Sequence, residues 1–240
     1  MHFLGQLFPL LLLLTPGRAE ESCEGSSSPT SSPSSSSSSS SSLDLVRVLE
    51  TLGVAKECKA ERKECRNATV VAPLLEASFK KFNIGCRQEA ACLVGLMMLE
   101  SVNATFMRNQ SPGRPGQGTV NMQMCGFNLK WAKDLEPGTF SDVDSLECFD
   151  KGCKDAGKCN QVLDEVLKTD EGNFFSPAWF YHTQCNETEI KTGLRDNVSF
   201  CSDYVTKCVG TDGKNEDRLK RNQQAFEAFD VIGKTKCVPL

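Results

Sequence analysis

The sequence predicts a mainly α, disulfide-stapled single domain with a small β-hairpin, on three observations. Apolar residues recur at helical spacing through residues 43–240, and thirteen cysteines lie in a chain of 240 residues. The glycine-rich stretch 112–123 breaks the helical pattern and ends in a short alternating segment.

Ahead of that domain, residues 1–19 carry an apolar core at 10–14 followed by Gly17 and Ala19, small residues suited to signal-peptidase cleavage. A secretory leader, and with it a secreted extracellular protein, is the expectation. Residues 20–42 are nearly all serine from Ser26 onward, broken by Pro29, Thr30 and Pro33, and hold nothing that could bury a core. They read as a disordered linker. No other stretch approaches the roughly 20 apolar residues that cross a bilayer, so no membrane partner is expected.

Within the domain, residues 43–53 read as an amphipathic helix, started near Ser42 or Asp44 and stopped by Gly53. A second helix is predicted at 72–82. Residues 88–101 are apolar all the way round, which marks a helix buried on every side. From 103 to 126 the periodicity vanishes, and 119–124 read as a short strand or hairpin arm. Beyond it, 127–135, 160–168, 177–182, 200–208 and 215–229 return to helical spacing, several with Asp, Ser or Asn at plausible caps.

The formal net charge is −4, and cleavage after Ala19 would remove Arg18 and no acid, leaving the chain more negative still. Long-range attraction to nucleic acid or to anionic walls is therefore not supported, and no nucleic-acid partner is expected. A neutral glycan is the easier ligand. All cysteines but Cys23 lie beyond the serine stretch, where six bridges are possible, while Cys23 is left free or paired between chains. Spacing does not give the connectivity. No Cys-x-x-Cys pair occurs and His182 is the one histidine after the leader, so neither a metal site, a cofactor nor Cys-His catalysis is expected. Sequons at Asn67, Asn103, Asn109, Asn186 and Asn197 fit a secreted glycoprotein.

The residue that carries candidate chemistry is Glu100, which ends the buried helix and precedes the glycine-rich stretch. A carboxyl group held among Leu96, Met97 and Leu99 is placed to stay protonated and act as a general acid; the plainer role is a helix-end Glu bonded to the loop behind it. Gln117, Thr119, Asn121 and Gln123 supply amide and hydroxyl groups where glycine lets backbone approach a ligand, and alternation would set Thr119, Asn121 and Gln123 on one face of a strand. The same groups serve equally as a hydrogen-bond network that fixes the loop. Trp131, Trp179 and Tyr181 are aromatics that stack on sugars or pack in the core.

Glu100-Ser101, followed by Gly116-Gln-Gly-Thr-Val-Asn-Met-Gln123, resembles the Glu-Ser and Gly-Leu-Met-Gln elements of lytic transglycosylase and goose-type lysozyme domains, with Val120-Asn121 in place of Gly-Leu. The stretch 112–123, Trp179-Phe-Tyr-His-Thr-Gln-Cys185 and Cys208-Val-Gly-Thr211 are similar to elements of a group of fungal secreted cysteine-rich proteins. The resemblance implies an α+β, lysozyme-like fold. It also implies Glu100 as catalytic acid, Gln117, Asn121 and Gln123 along a sugar cleft, and Tyr181 as a sugar contact or orienting group.

A two-carboxylate glycosidase needs a second acid at about 5 Å for retention or roughly 6.5 to 9.5 Å for inversion. No Asp or Glu lies between Glu100 and Asp134, so either Asp134, Glu136, Asp142 or Asp144 enters from later in the chain, or the substrate completes the reaction itself. The single-acid scheme is preferred. The expectation is a monomeric enzyme acting on a β-1,4-linked N-acetylhexosamine polysaccharide, chitin or peptidoglycan. Its first alternative is a secreted protein that binds glycan, or acts at a host interface, without turnover. A cell-surface protein on a serine stalk ranks behind both, since no C-terminal hydrophobic tail follows the domain.

Overall fold

The computed structural model describes residues 43–240, so the leader, the serine stretch and Cys23 lie outside the described residues. These form a single, mainly helical domain. In chain order the helices are α1 Leu45–Thr51, α2 Ala68–Lys81, α3 Arg87–Glu100, α4 Cys125–Leu135, α5 Ala156–Val166, α6 Asp170–Phe174, α7 Ser176–Thr183, α8 Thr188–Asp196, α9 Phe200–Asp203 and α10 Glu216–Ala228. A π-helical turn, Tyr204–Val209, runs on from α9.

α3 is the axis of the domain, with Gln88 through Met98 all buried. This is why its sequence has no polar stripe: α10, α8 and α7 pack on it from different sides. Gly95 brings α10 close, since a Cβ there would lie 2.8 Å from Asn222 Oδ1 and 3.3 Å from Ala225 Cβ. α4 pairs with α5, and α1 with α2.

Caps explain where several helices begin. Asp44 accepts from the Arg47 amide at the start of α1, Asn67 from Val70 at α2, Thr169 from Gly172 at α6, and Asn215 from Asp217 and Arg218 at α10. The Asn67 cap starts α2 ahead of the predicted 72. α6 and α8 were not expected. α8 buries little beyond Ile190 and Leu194, too sparse a pattern to stand out.

Trp131 and Trp179 are core residues, with ring centroids 5.2 Å apart. Their indole N–H groups are satisfied inside, Trp131 donating to Gly172 O at 2.8 Å and Trp179 to Asp134 Oδ2 at 2.7 Å. The described residues contain six disulfides: Cys58–Cys65, Cys86–Cys237, Cys92–Cys201, Cys125–Cys159, Cys148–Cys153 and Cys185–Cys208. No helix among the described residues is long and apolar enough to cross a membrane.

The expected hairpin takes a smaller form. Among the described residues β pairing is confined to isolated antiparallel bridges, Arg108 to Gly118, Gly118 to Gln123 and Cys86 to Pro239. Thr119 and Met122 have φ of 62° and 49°, so residues 118–123 turn back tightly instead of extending.

Candidate functional site

The site is built around the end of α3. Ser101, wholly buried, donates its hydroxyl to Met97 O at 2.7 Å and accepts from the Ala104 amide at 2.9 Å. Val102, Asn103 and Ala104 then all take left-handed backbone, with φ of 51°, 57° and 59°. Such a run is unfavourable for residues with side chains and persists where the surroundings hold it. The hydroxyl of Ser101 is the local reason the chain reverses immediately after Glu100. Glu100 is thereby left at a helix end that faces a groove.

That groove is an open hollow of about 410 Å³. Leu96 and Glu100 come from α3; Arg114, Gln117, Asn121 and Gln123 from the loop; Phe127 from α4; and Phe180 from α7. The lining is continued by Tyr204 and Val209 of the π-helical turn, by Gly210 and Thr211 just after it, and by Arg218 of α10. Gly210, at φ 79°, ends the π turn in a conformation that suits glycine. The three sequence elements at 112–123, 179–185 and 208–211 each contribute to this single hollow.

Glu100 Oε1 lies 2.8 Å from Arg218 Nη2, and both side chains are largely sheltered, at 23% and 16% exposure. Arg218 Nη1 is buried without a partner. Among the residues lining the groove, Glu100 is the one that carries a carboxyl group. Asp134, offered by the sequence as a second acid, is engaged by Trp179, and Glu136, Asp142 and Asp144 do not line the groove.

The loop wall is a hydrogen-bonded chain. Thr119 Oγ1 donates to Asn121 Oδ1 at 2.6 Å, which also accepts from Ser176 Oγ at 2.7 Å. Asn121 Nδ2 donates to Gln123 Oε1 at 3.3 Å, Gln123 Nε2 to Asn128 Oδ1 at 2.7 Å, and Asn128 Nδ2 back to Gly116 O and Gln123 O. Gln117 Nε2 donates to Met122 O at 2.9 Å, while Gln117 Oε1 is buried without a partner. Both readings of these amides thus coexist, since they fix the loop and also line the groove.

Two predicted site residues lie elsewhere. Thr119 is wholly buried and braces the turn from behind. The tight turn, not a strand face, sets its direction. Tyr181 is 3% exposed and donates to Glu89 Oε1 at 3.2 Å on the far side of Tyr204, against whose ring it packs edge-on with centroids 5.2 Å apart. Burial pushes the phenols of Tyr181 and Tyr204 up and also raises the Glu89 carboxyl, against the opposing charge of Arg195 at 3.5 Å.

Arg218, Tyr204 and the wall 209–211 were not assigned a role from sequence. The Cys208-Val-Gly-Thr211 element was the available signal, but nothing in it announces a π turn. Of the sequons, Asn186 and Asn197 are exposed, and Asn67 caps α2 through its Oδ1. Asn103 packs against Gly53, and Asn109 lines the groove with its Oδ1 accepting from the Gly113 and Arg114 amides. Among the described residues no group of three or more His, Cys, Asp or Glu side chains is placed to hold a metal ion.

No protein-family model matches the chain, and neither does a solved structure. Over 173 residues, 68% of this chain, it is 37% identical to a bifunctional dioxygenase (DOX)-epoxy alcohol synthase (EAS) of Fusarium oxysporum (strain Fo5176). The match spans 12% of that relative's length.

Proposed function

We propose that the groove binds a β-1,4-linked N-acetylhexosamine polymer and that Glu100 cleaves it as a single general acid, in the manner of lysozyme-like and lytic transglycosylase domains. The observation that carries this reading is the convergence of the stretches 112–123 and 208–211 with Phe180 on one hollow whose sole carboxyl group is Glu100. Gln117, Asn121 and Gln123 are the loop amides available to sugar hydroxyls and acetamido groups, while Thr119 and Tyr181 support from behind.

In this scheme Glu100 gives its proton to the glycosidic oxygen as the bond from that oxygen to the anomeric carbon breaks. The oxocarbenium-like carbon is then captured by water or by a hydroxyl of the same sugar, and the proton released returns to the Glu100 carboxylate. Six disulfides suit an oxidising compartment, so the reading includes secretion and glycosylation at the exposed sequons.

A second reading, a groove that holds glycan without turnover, is favoured by the Arg218 guanidinium at 2.8 Å from Glu100 Oε1, which engages an oxygen that cleavage would need at the glycosidic bond. Recurrence of the matching stretch within a far longer Fusarium protein also fits a binding module. The dioxygenase and epoxy alcohol synthase activities in that relative's name are not assigned to this chain.

Incubation with insoluble chitin and peptidoglycan separates the two. Soluble oligosaccharide released by wild type and not by Glu100→Gln supports cleavage. Retention on the polymer with no release by either protein supports binding alone, and neither release nor retention defeats both.

A further inference from the structure

The groove does not end at Phe127. A second hollow, about 350 Å³, shares Met124 and Phe127 with the first. Phe127 is the partition between them. Its ring meets Phe180 of the first hollow at 4.8 Å between centroids, and Lys130 Nζ of the second lies 5.4 Å from its centroid.

The second hollow adds apolar surface, with charged and polar groups around it. Lys130 Nζ donates to Gln184 Oε1 at 3.2 Å and Lys133 Nζ to Val143 O at 2.6 Å. The rest of its lining combines the apolar side chains of Leu129, Leu146 and Phe149 with the exposed Asp144, Ser145 and Glu147. Phe149, at 66%, is the most exposed large apolar side chain among the described residues.

The backbone that carries it is held in place. The Cys148–Cys153 disulfide closes the loop directly beside Phe149. Arg114, which lines the first hollow, donates its Nε to Phe149 O at 3.1 Å, so one residue belongs to the first hollow and anchors the rim of the second. An exposed ring on an anchored backbone beside a groove is suited to a ligand with a flat apolar face, and the anchored backbone loses less ordering entropy on binding.

We propose that the second hollow is a further sugar subsite, in which the polymer held beside Glu100 continues past Phe127 and lays the C–H face of a pyranose ring on Phe149. The inference rests on the glycan reading of the first hollow and extends it to a longer ligand. It makes recognition depend on chain length.

The test is titration calorimetry with the β-1,4-linked N-acetylglucosamine trimer and hexamer, in the Glu100→Gln background so that neither ligand is consumed. Phe149→Ala is the probe, and because Phe149 is exposed, an unchanged thermal midpoint checks that the fold is kept. The expected result is a hexamer that binds more tightly than the trimer, with Phe149→Ala weakening the hexamer about tenfold and leaving the trimer unchanged. Equal binding of trimer and hexamer, or a hexamer affinity untouched by Phe149→Ala, overturns the subsite while the first hollow stands. A substitution that alters self-association in ultracentrifugation and not hexamer affinity assigns Phe149 to a protein contact and overturns it too. Binding of neither oligosaccharide defeats the glycan reading itself.

Discussion

Glu100 and Arg218, from two helices packed along the centre of the domain, meet at 2.8 Å with the carboxylate facing the groove. Their exposures of 23% and 16% place the pair between two regimes. Surface pairs contribute about 0–1 kcal/mol, and stranding one member of a buried pair costs about 3–5 kcal/mol.

A double-mutant cycle with Glu100→Gln and Arg218→Met is therefore expected to give a coupling of about 1–2 kcal/mol in urea denaturation. Removing Arg218 alone is the more informative arm, since it frees Glu100 while leaving it in place. If the groove cleaves glycan, that variant separates what Arg218 does for stability from what it does for turnover. Additive single mutants would mean the two side chains are neighbours and no more.

Gly118 sits where the loop passes behind the groove wall, bridging to both Arg108 and Gln123. A Cβ there would lie 2.5 Å from Met107 O and 2.7 Å from both Leu163 methyls. The backbone oxygen is the harder obstacle because it cannot rotate away. Gly118→Ala is expected to lose about 1–3 kcal/mol in chemical denaturation, as overpacked sites do. It should also weaken ligand binding, because Gln117 and Gln123 flank the displaced segment. Wild-type stability in this variant would show that the loop relaxes freely and is no rigid wall.

The parts of this molecule legible in sequence are those written in local terms. α3 was visible because eleven successive residues from Gln88 are buried, and Asp44 and Gly53 bracketed α1 through a cap and a left-handed stop. Glu100 was legible from its place at the end of that run. Arg218 was not, since its partner is set by the close α3–α10 packing that Gly95 permits, a long-range fact with no local trace. Thr119 was misplaced for a related reason. Alternation of Thr119, Asn121 and Gln123 suits a strand, but the bonds from Gly118 N to Gln123 O and from Met122 N to Thr119 O fold the segment on itself.

Glu89 provides a test through pH. It is 3% exposed and accepts from the Cys86 amide and the Tyr181 hydroxyl, with Arg195 at 3.5 Å and Lys191 lying over the Tyr181 ring. Desolvation dominates these and raises the carboxyl above its ordinary 4.5. A carboxyl whose pKa rises on folding holds its proton more tightly in the native chain. Its contribution is thus fully present below 4.5 and is lost as pH climbs through the folded value. Glu89→Gln removes that titration. The thermal midpoint of wild type minus that of the variant should accordingly be more positive near pH 4 than near pH 7. A difference of the opposite sign would mean that Arg195 and the hydrogen bonds outweigh burial.

Cys92 and Cys201 join the middle of α3 to α9, across 109 residues of chain. Both are buried, at 0% and 1% exposure, and α9 leads directly into the π turn that helps line the groove. Two effects follow from replacing the pair with alanine. The unfolded chain regains the freedom of a long loop, which by the loop-entropy account is worth about 2–5 kcal/mol. The wall at Tyr204 to Thr211 also loses its tie to the helix that carries Glu100. Denaturant midpoints should fall for Cys92→Ala/Cys201→Ala, and hydrogen exchange of amides in 204–211 should quicken more than in α4 or α5. Uniform quickening would assign the bridge to global stability alone; selective quickening at 204–211 makes it the element that sets the width of the groove.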